Sequence, residues 1–254
     1  MEALGAPMKK VLYCDFFLDA PQIGSQIEAF LRELARLSGW NCLFVQAGRV
    51  RENDRDLGPA PKGDWLAGLG AALDLSHADL VFVWFDDLLP QQPDMAALAD
   101  LLTQAEGLMT TQDPQGAAYV RLNSKPPSLG PCVTHGFRVI TPQEAYRCSL
   151  PASVWQADYL RQQMKSSPSC WALESLPHMR LALSASRIHL PYDNLMWRGQ
   201  WSTQALWRHR MGPPMGIRAW GRLLAVSLKF RVTHRLQAAW PWLYHLILRG
   251  LFKR

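Results

Sequence analysis

The sequence lacks the patterns that define several classes of protein. Its five cysteines are odd in number and never arranged as C-x-x-C, which argues against a disulfide framework or a closed zinc site and indicates a reducing compartment. The N-terminal MEALGAPMKK contains no apolar signal core, and no P-loop, dinucleotide-binding or nucleophile-elbow motif is present. Because 48% of the 254 residues are hydrophobic and 19% charged, we expect a globular, cytosolic protein with a sizeable core.

Acidic residues are absent from the last part of the chain. Residues 1–204 contain 17 basic and all 21 acidic residues, a net charge of −4, whereas residues 205–254 contain ten basic residues and no acid. The tail also has four of the 11 tryptophans, and arginines interrupt its apolar stretches before they reach the ~18–20 residues of a transmembrane helix. This mixture is typical of helices in a membrane interface. We predict a domain over 1–204 and a basic amphipathic tail whose residues 206–254 bind an anionic membrane.

Strand-like and helix-like segments alternate in the first domain. Apolar runs at 9–17, which Asp15 interrupts, and at 78–85 predict buried strands, and the apolar spacing at 23–39 and 95–109 predicts helices. Asp64 is a candidate cap for a helix over WLAGLGAALDLS, which Gly68 and Gly70 weaken. SRIHLPY (186–192) predicts a last strand, and the polar stretch 49–64 predicts a loop. This alternation favours an α/β sandwich with a mostly parallel central sheet.

The sharpest chemical feature is the pair Asp86 and Asp87 at the end of the most strand-like segment. Two adjacent carboxylates beside a core repel each other and lose hydration, so a compensating cation or donor is expected. Mg²⁺ takes one or two carboxylates together with substrate phosphates, and ligands of open α/β sheets bind at the carboxyl ends of strands. In the structural alternative, Asp86 caps a turn and Asp87 is solvated.

A series of ordered blocks resembles a group of bacterial glycosyltransferase-like proteins. The blocks are Trp65–Leu66, LVFVWFDDLLP (80–90), AYVRLN (118–123), YRCSLPASVWQADYLRQQM (146–164), SCWALE (169–174) and RGQW (198–201). The resemblance rests on their order and spacing. It implies a GT-A-like nucleotide-sugar-binding fold of the type that assembles surface polysaccharides.

The resemblance also implies roles for the acidic residues. Asp87, with Asp86 as a second candidate, would hold Mg²⁺ or Mn²⁺ on the donor diphosphate, and Asp86 would also contact the donor. Glu174 would be the general base of an inverting transfer. In the structural alternative, Glu174 is a charge near the start of a helix.

Basic residues in the same blocks are candidates for phosphate contacts. These are Arg121, Arg147 and Arg198, although isolated arginines more often form surface ion pairs. His189, near the end of a predicted strand, is a further candidate metal ligand, with a structural role as the alternative. The blocks depart from the family pattern in SCWALE, which lacks a proline before the tryptophan, and at Gln200, where the family prefers lysine.

From these features we expect a metal-dependent glycosyltransferase that is peripheral on the inner face of the cell membrane. It would move a sugar from a nucleotide-sugar to a hydroxyl of a glycan or lipid-linked acceptor. Two alternatives are a catalytically degenerate domain of this type and a binding protein whose tail holds an anionic partner. Nucleic acid is the less expected partner because the tail is rich in Leu, Ile and Val.

Overall fold

The structure is a computed structural model. It describes residues 7–16, 21–110, 116–123, 128–134, 136–142, 144, 148–174, 180–186, 190, 192–197 and 200–202. The chain divides into two compact units, Met1–Asp193 and Asn194–Arg254. The sequence-based boundary between residues 204 and 205 and the whole tail lie outside the described residues.

The first unit is an α/β domain built on a mixed sheet. The elements of the chain, in order, are β1 (Lys10–Phe16), α1 (Pro21–Ser38), β2 (Asn41–Gln46), β3 (Arg49–Glu52), β4 (Arg55–Pro59), α2 (Trp65–Ser76), β5 (Leu80–Phe85), β6 (Leu88–Pro90), α3 (Met95–Thr110), β7 (Tyr119–Arg121), β8 (Cys132–Thr134), β9 (Phe137–Val139), β10 (Ser153–Gln156), α4 (Ala157–Lys165), α5 (Cys170–Leu173), β11 (Ala182–Ala185), β12 (Tyr192–Asn194), β13 (Met196–Trp197) and β14 (Gln200–Trp201). None of these helices is long and apolar enough to cross a membrane.

Ten strands form the main sheet in the order β4-β3-β2-β1-β5-β10-β7-β11-β9-β8. β2, β1 and β5 run parallel, and β7 and β11 are parallel to each other. β10 lies between β5 and β7 and is antiparallel to both. The expected mostly parallel sheet is therefore found only in part, because β10 and the hairpins at both edges pair antiparallel.

Helices cover both faces of the sheet. On one face, Tyr13 and Val83 belong to a buried cluster with residues of α2, α4 and α5. On the other, Phe30 of α1 packs against Trp84 of β5, with ring centroids 5.2 Å apart, and α1 packs against α3. Because β1 and β5 are buried on both faces, they have the continuous apolar sequences of central strands.

Two parts of the sheet differ from the sequence-based prediction. The loop predicted over 49–64 is wrong, because residues 49–59 contain the hairpin β3–β4, whose two-residue turn has Asn53 at φ 51°. Its strands are short and mostly exposed at the edge, so polar side chains replace the apolar alternation. A last strand was predicted over 186–192, but β11 ends at Ala185, and residues 187–189 and 191 lie outside the description.

Candidate functional site

The candidate site lies where the strand order reverses. β1 continues through α1 to β2 on one side, whereas β5 pairs with the other side of β1. Ligands of open α/β sheets bind outside the carboxyl ends of the strands at such a switch point. Here Asp15 of β1 pairs in register with Phe85 of β5, which is followed by Asp86 and Asp87. Three acidic residues therefore lie at the ends of two adjacent strands.

Burial disfavours the charged form of these acids. Asp15 is 7% exposed and Asp86 is 9% exposed. Burial, and to a smaller extent the charge of Asp86, raises the pKa of Asp15 to about 7. Burial also raises the pKa of Asp87 to about 6, although its backbone N–H acts in the opposite direction. A bound cation or hydrogen-bond donor would relieve this cost.

Two polar groups on β1 have no hydrogen-bond partner within the described part of the chain. One is the hydroxyl of Tyr13, which is fully buried. The other is the carboxyl of Asp15, to which none of the described residues donates. Tyr13 and Asp15 are two residues apart, so they project from the same face of the strand. A fully buried polar group without a partner, such as the Tyr13 hydroxyl, is rare in folded proteins, and here it lies in the strand that leads to the switch point.

Helix α2 approaches the crevice closely through a glycine. A Cβ atom added at Gly68 would lie 3.0 Å from Oδ2 of Asp15, so a larger residue would require the carboxyl to move. The helix begins where the sequence predicts, because the side chain of Asp64 accepts the N–H of Ala67 at 3.2 Å. This cap places the first turn of α2 against Asp15.

An aromatic cluster borders the same crevice. The ring of Trp65, at the start of α2, packs edge-on against Tyr13 and Phe85, with centroid separations of 6.0 and 4.9 Å. Trp65 is only partly buried, so it lies at the margin of the core beside the end of β5. The cluster fixes the position of α2 relative to both strands of the switch point.

The turn that carries Asp86 and Asp87 is held from the opposite face of the sheet. Nε1 of Trp84 donates to the carbonyl of Leu88 at 3.0 Å and so bridges the turn. The ring of Tyr192 packs edge-on against Trp84 at 5.7 Å. The two carboxylates are therefore on a turn that buried aromatic side chains anchor.

Glu174 lies at the same edge of the sheet, at the end of α5. Its Oε1 accepts the N–H of Leu150 at 3.0 Å. Leu150 is in the segment leading into β10, and Ala152 in that segment donates to the carbonyl of Val83 in β5. Burial raises the pKa of the Glu174 carboxyl, which the Leu150 N–H partly offsets. The alternative of a charge near the start of a helix is wrong, because Glu174 follows the last residue of α5. The carboxyl fastens a loop and has a raised pKa, and its role as a general base stays a prediction.

Arg121 is buried, so the alternative of a surface ion pair is wrong, while the predicted phosphate contact stays a prediction. The residue ends β7, is 0% exposed and donates from Nε to Oγ of Ser184 on β11 at 3.2 Å. A buried guanidinium is costly unless it is compensated. Its position at the carboxyl end of a parallel pair of strands places a fixed positive charge at the edge where the acids lie.

Tyr192 connects the acidic and basic residues electrostatically. Nδ2 of Asn123 donates to its hydroxyl at 3.0 Å. Burial raises the pKa of this phenol; the charges of Glu174 and Asp87 raise it further, while Asn123 and Arg121 lower it. Glu174, Asp87 and Arg121 therefore all influence the pKa of this one phenol.

The chemistry of these residues fits a divalent cation held partly by a ligand. Carboxylate oxygens are suitable ligands for Mg²⁺ or Mn²⁺. Burial raises the pKa values of Asp15 and Asp87, and a nearby cation would offset the cost of keeping these carboxylates charged. No group of three or more His, Cys, Asp or Glu side chains in the described ranges has a geometry that could hold a metal. An ion bound at Asp86 and Asp87 would therefore have room for ligands from outside the described residues, such as substrate oxygens.

Three predicted site residues lie outside the described residues. They are Arg147, Arg198 and His189. The roles assigned to them and to residues 206–254 therefore stay predictions. Among the other candidates, the structure places Asp86, Asp87, Arg121 and Glu174 at one edge of the sheet.

Sequence reasoning missed Asp15, Tyr13, Gly68 and Tyr192. Asp15 was treated only as an interruption of an apolar run, yet an acid that ends a buried strand is the same signal that identified Asp86. Gly68 was interpreted as a weakness of α2, whereas it permits the close approach to Asp15. No local signal marks Tyr192, because its partners come from β5 and from the segment after β7. In comparisons with known proteins, the chain matches no protein-family model, no curated protein and no solved structure.

Proposed function

We propose that this chain is a metal-dependent glycosyltransferase with a GT-A-like nucleotide-sugar-binding domain. The observation that carries the proposal is the position of Asp86 and Asp87, which follow a central strand at the switch point of the sheet. A partly buried acidic pair around which the described residues form no further metal-ligand cluster suits an ion that is shared with a diphosphate. The α/β fold and the ordered sequence blocks support the same class.

Asp86 and Asp87 would hold Mg²⁺ or Mn²⁺ on the donor diphosphate. When bound, the ion supplies positive charge against the negative charge that develops on the departing diphosphate. The protein contributes a rigid turn, because Trp84 bridges it to Leu88. Arg121 adds a fixed positive charge toward the same edge, together with the predicted phosphate contacts of Arg147 and Arg198.

Glu174 is the group assigned to proton transfer. In the inverting reaction, the acceptor oxygen bonds to the anomeric carbon, and the bond from that carbon to the diphosphate oxygen breaks with its electron pair on the diphosphate. The acceptor proton passes to the Glu174 carboxylate. Oε1 is held by Leu150, so Oε2 is the atom that takes the proton. The raised pKa of Glu174 brings this carboxyl closer to the operating range of a general base.

The proposed acceptor is a glycan or lipid-linked molecule at the inner face of the cell membrane. Residues 206–254 would attach the enzyme to that surface, since each basic residue near an anionic leaflet contributes roughly 1 kcal/mol. Deleting 206–254 should release the protein from vesicles containing anionic lipid. Retained binding by the truncated chain would remove the tail from the proposal and leave the chemistry of the body untouched.

Calorimetric titration tests the proposed activity. UDP, GDP and their sugar conjugates are titrated with and without Mn²⁺ against the wild type, Asp87→Asn and the control Asp100→Asn, an exposed carboxylate on α3. We expect Mn²⁺-dependent binding that weakens at least about 100-fold in Asp87→Asn, since even supporting residues of metal sites cost about 10–100-fold. Asp100→Asn should behave as the wild type.

A failure of this titration would favour the alternatives. Absence of nucleotide binding in any condition would indicate a degenerate domain or a binding protein that uses its tail. The hydrogen bond from Leu150 gives Glu174 a structural role that such a domain would keep. Equal loss of binding in Asp87→Asn and Asp100→Asn would show that neither carboxylate acts as a specific ligand.

A further inference from the structure

If the proposed function holds, the order of the strands determines in which direction a bound nucleotide-sugar lies across the edge of the sheet. Asp15 ends β1, whereas Arg121 ends β7, which lies on the other side of β5 and β10. Glu174 is fastened to the segment that enters β10. The Asp86–Asp87 turn follows β5 and therefore lies between these two sides.

A nucleotide-sugar bound across this edge has its diphosphate in the middle. If the metal-bound diphosphate lies at Asp86 and Asp87, the transferred sugar must extend toward Glu174, where the proton is accepted. The nucleoside, attached to the other end of the diphosphate, must then extend in the opposite direction, over the end of β1. Asp15 is the polar side chain that β1 presents at that end.

At the carboxyl end of β1, the candidate site offers hydrogen-bond acceptors. Asp15 offers carboxyl oxygens to which none of the described side chains donates. This carboxyl therefore needs a hydrogen-bond donor. A phosphate has no proton to offer to Asp15, whereas ribose hydroxyls and the N–H of a base such as uracil or guanine do.

We propose that Asp15 binds the nucleoside half of the donor by accepting hydrogen bonds from a ribose hydroxyl or a base N–H. Gly68 is part of this arrangement, because any side chain there would displace the Asp15 carboxyl. Asp15 would therefore bind nucleosides that carry this hydroxyl or N–H more tightly than analogues that lack it.

The stability of the variants separates this role from a structural one. A carboxyl or hydroxyl that supports the fold is hydrogen-bonded, and its removal leaves a partner unsatisfied. Tyr13→Phe removes a buried hydroxyl that has no partner among the described residues, and Asp15→Asn removes a buried charge that accepts from none of them. Both variants should therefore fold and be at least as stable as the wild type.

Matched ligands test the assignment. The wild type, Asp15→Asn and Tyr13→Phe are titrated, in Mn²⁺, with UDP or GDP, whichever binds more tightly, and with two analogues of it. The 2′-deoxy analogue lacks a ribose donor, and the base-methylated analogue (N3-methyl for uridine, N1-methyl for guanosine) lacks the ring N–H. Asp100→Asn is again the control.

We expect the wild type to prefer the parent nucleotide by about 10- to 100-fold over one of the two analogues, as a hydrogen bond to a charged group implies. Asp15→Asn should reduce this preference at least about tenfold. If the 2′-deoxy analogue is the one that binds weakly to the wild type, Asp15 binds the ribose; if it is the methylated analogue, Asp15 binds the base. Tyr13→Phe, which removes only a fully buried hydroxyl, should leave the preference unchanged.

An unchanged preference in Asp15→Asn would overturn the proposal, and so would a loss of stability in that variant without any change in binding. Either result leaves the proposed transferase intact if Mn²⁺-dependent nucleotide binding and its loss in Asp87→Asn are still seen. Failure of the wild type to bind any nucleotide would instead defeat the proposed function, and the Asp15 assignment with it.

Discussion

The two sides of the candidate site differ in how their polar groups are satisfied. On the side of β7 and β11, Arg121 donates to Ser184, Asn123 donates to Tyr192, and Glu174 accepts from Leu150. On the side of β1, the described residues provide no hydrogen-bond partner for Tyr13 or Asp15.

This difference indicates which side is complete in the free protein. Where side chains already satisfy one another, the structure holds its charges in place and substitutions should destabilise the fold. Where buried polar groups lack partners, they reduce stability, and a ligand can recover that free energy on binding. The predictions below test this contrast with substitutions on each side.

The largest loss of stability is expected for Arg121→Met. The substitution removes a fully buried guanidinium from β7 and leaves Oγ of Ser184 without its donor. Breaking a buried charged interaction from one side costs about 3–5 kcal/mol in the free energy of unfolding. Chemical denaturation measures this cost. A change below about 1 kcal/mol would show that the guanidinium does not support the sheet.

Asp15→Asn should instead increase stability in a pH-dependent way. The folded protein holds the Asp15 proton up to about pH 7, whereas the unfolded chain releases it near the ordinary value of 3.8. The folded state thus binds more protons, so this group lowers stability progressively as pH rises from about 4 to about 7.

The gain from Asp15→Asn should be small at pH 4 and reach about 2–4 kcal/mol at pH 8, since each unit of pKa shift corresponds to about 1.4 kcal/mol. Denaturant unfolding in EDTA at both pH values measures it without a bound metal. A gain that is equal at pH 4 and pH 8, or a loss at pH 8, contradicts the account of a buried, unpartnered acid.

Two glycines of α2 provide a smaller and closely matched comparison. Alanine at Gly70 would place its Cβ at 3.6 Å from Cε of Met164, an ordinary contact, whereas alanine at Gly68 would meet Asp15 at 3.0 Å. Gly70→Ala should gain up to about 1 kcal/mol from helix propensity. Gly68→Ala should lose most of that gain and also weaken nucleotide binding. Equal stability and equal binding in both variants would mean that the approach of α2 to Asp15 is unimportant.

Much of the fold could be predicted because its signals are local. The apolar runs of β1 and β5, the amphipathic spacing of α1 and the cap at Asp64 each depend on neighbouring residues, and the structure contains all of them. The hairpin β3–β4 was missed because an exposed edge has no apolar period. The antiparallel insertion of β10 could not be predicted, since it depends on pairing with strands that are far away in the sequence.

The candidate site was predictable only where one segment carries the whole signal. Asp86 and Asp87 follow the most apolar strand directly, so they were identified from sequence. The importance of Asp15 depends on its register with Phe85 across β1 and β5. The burial of Arg121 depends on β11, a strand whose sequence ALSA is too short and too weakly apolar to be recognised.

The central claim is that a metal–nucleotide complex lies across the carboxyl ends of the central strands. Paramagnetic broadening of backbone NMR signals by Mn²⁺ tests this directly, in the full-length protein with and without UDP or GDP. The account predicts broadening that requires the nucleotide, centres on Asp86 and Asp87, and extends to both Asp15 and Glu174. Nucleotide-independent broadening, or broadening centred elsewhere on the protein, would contradict it.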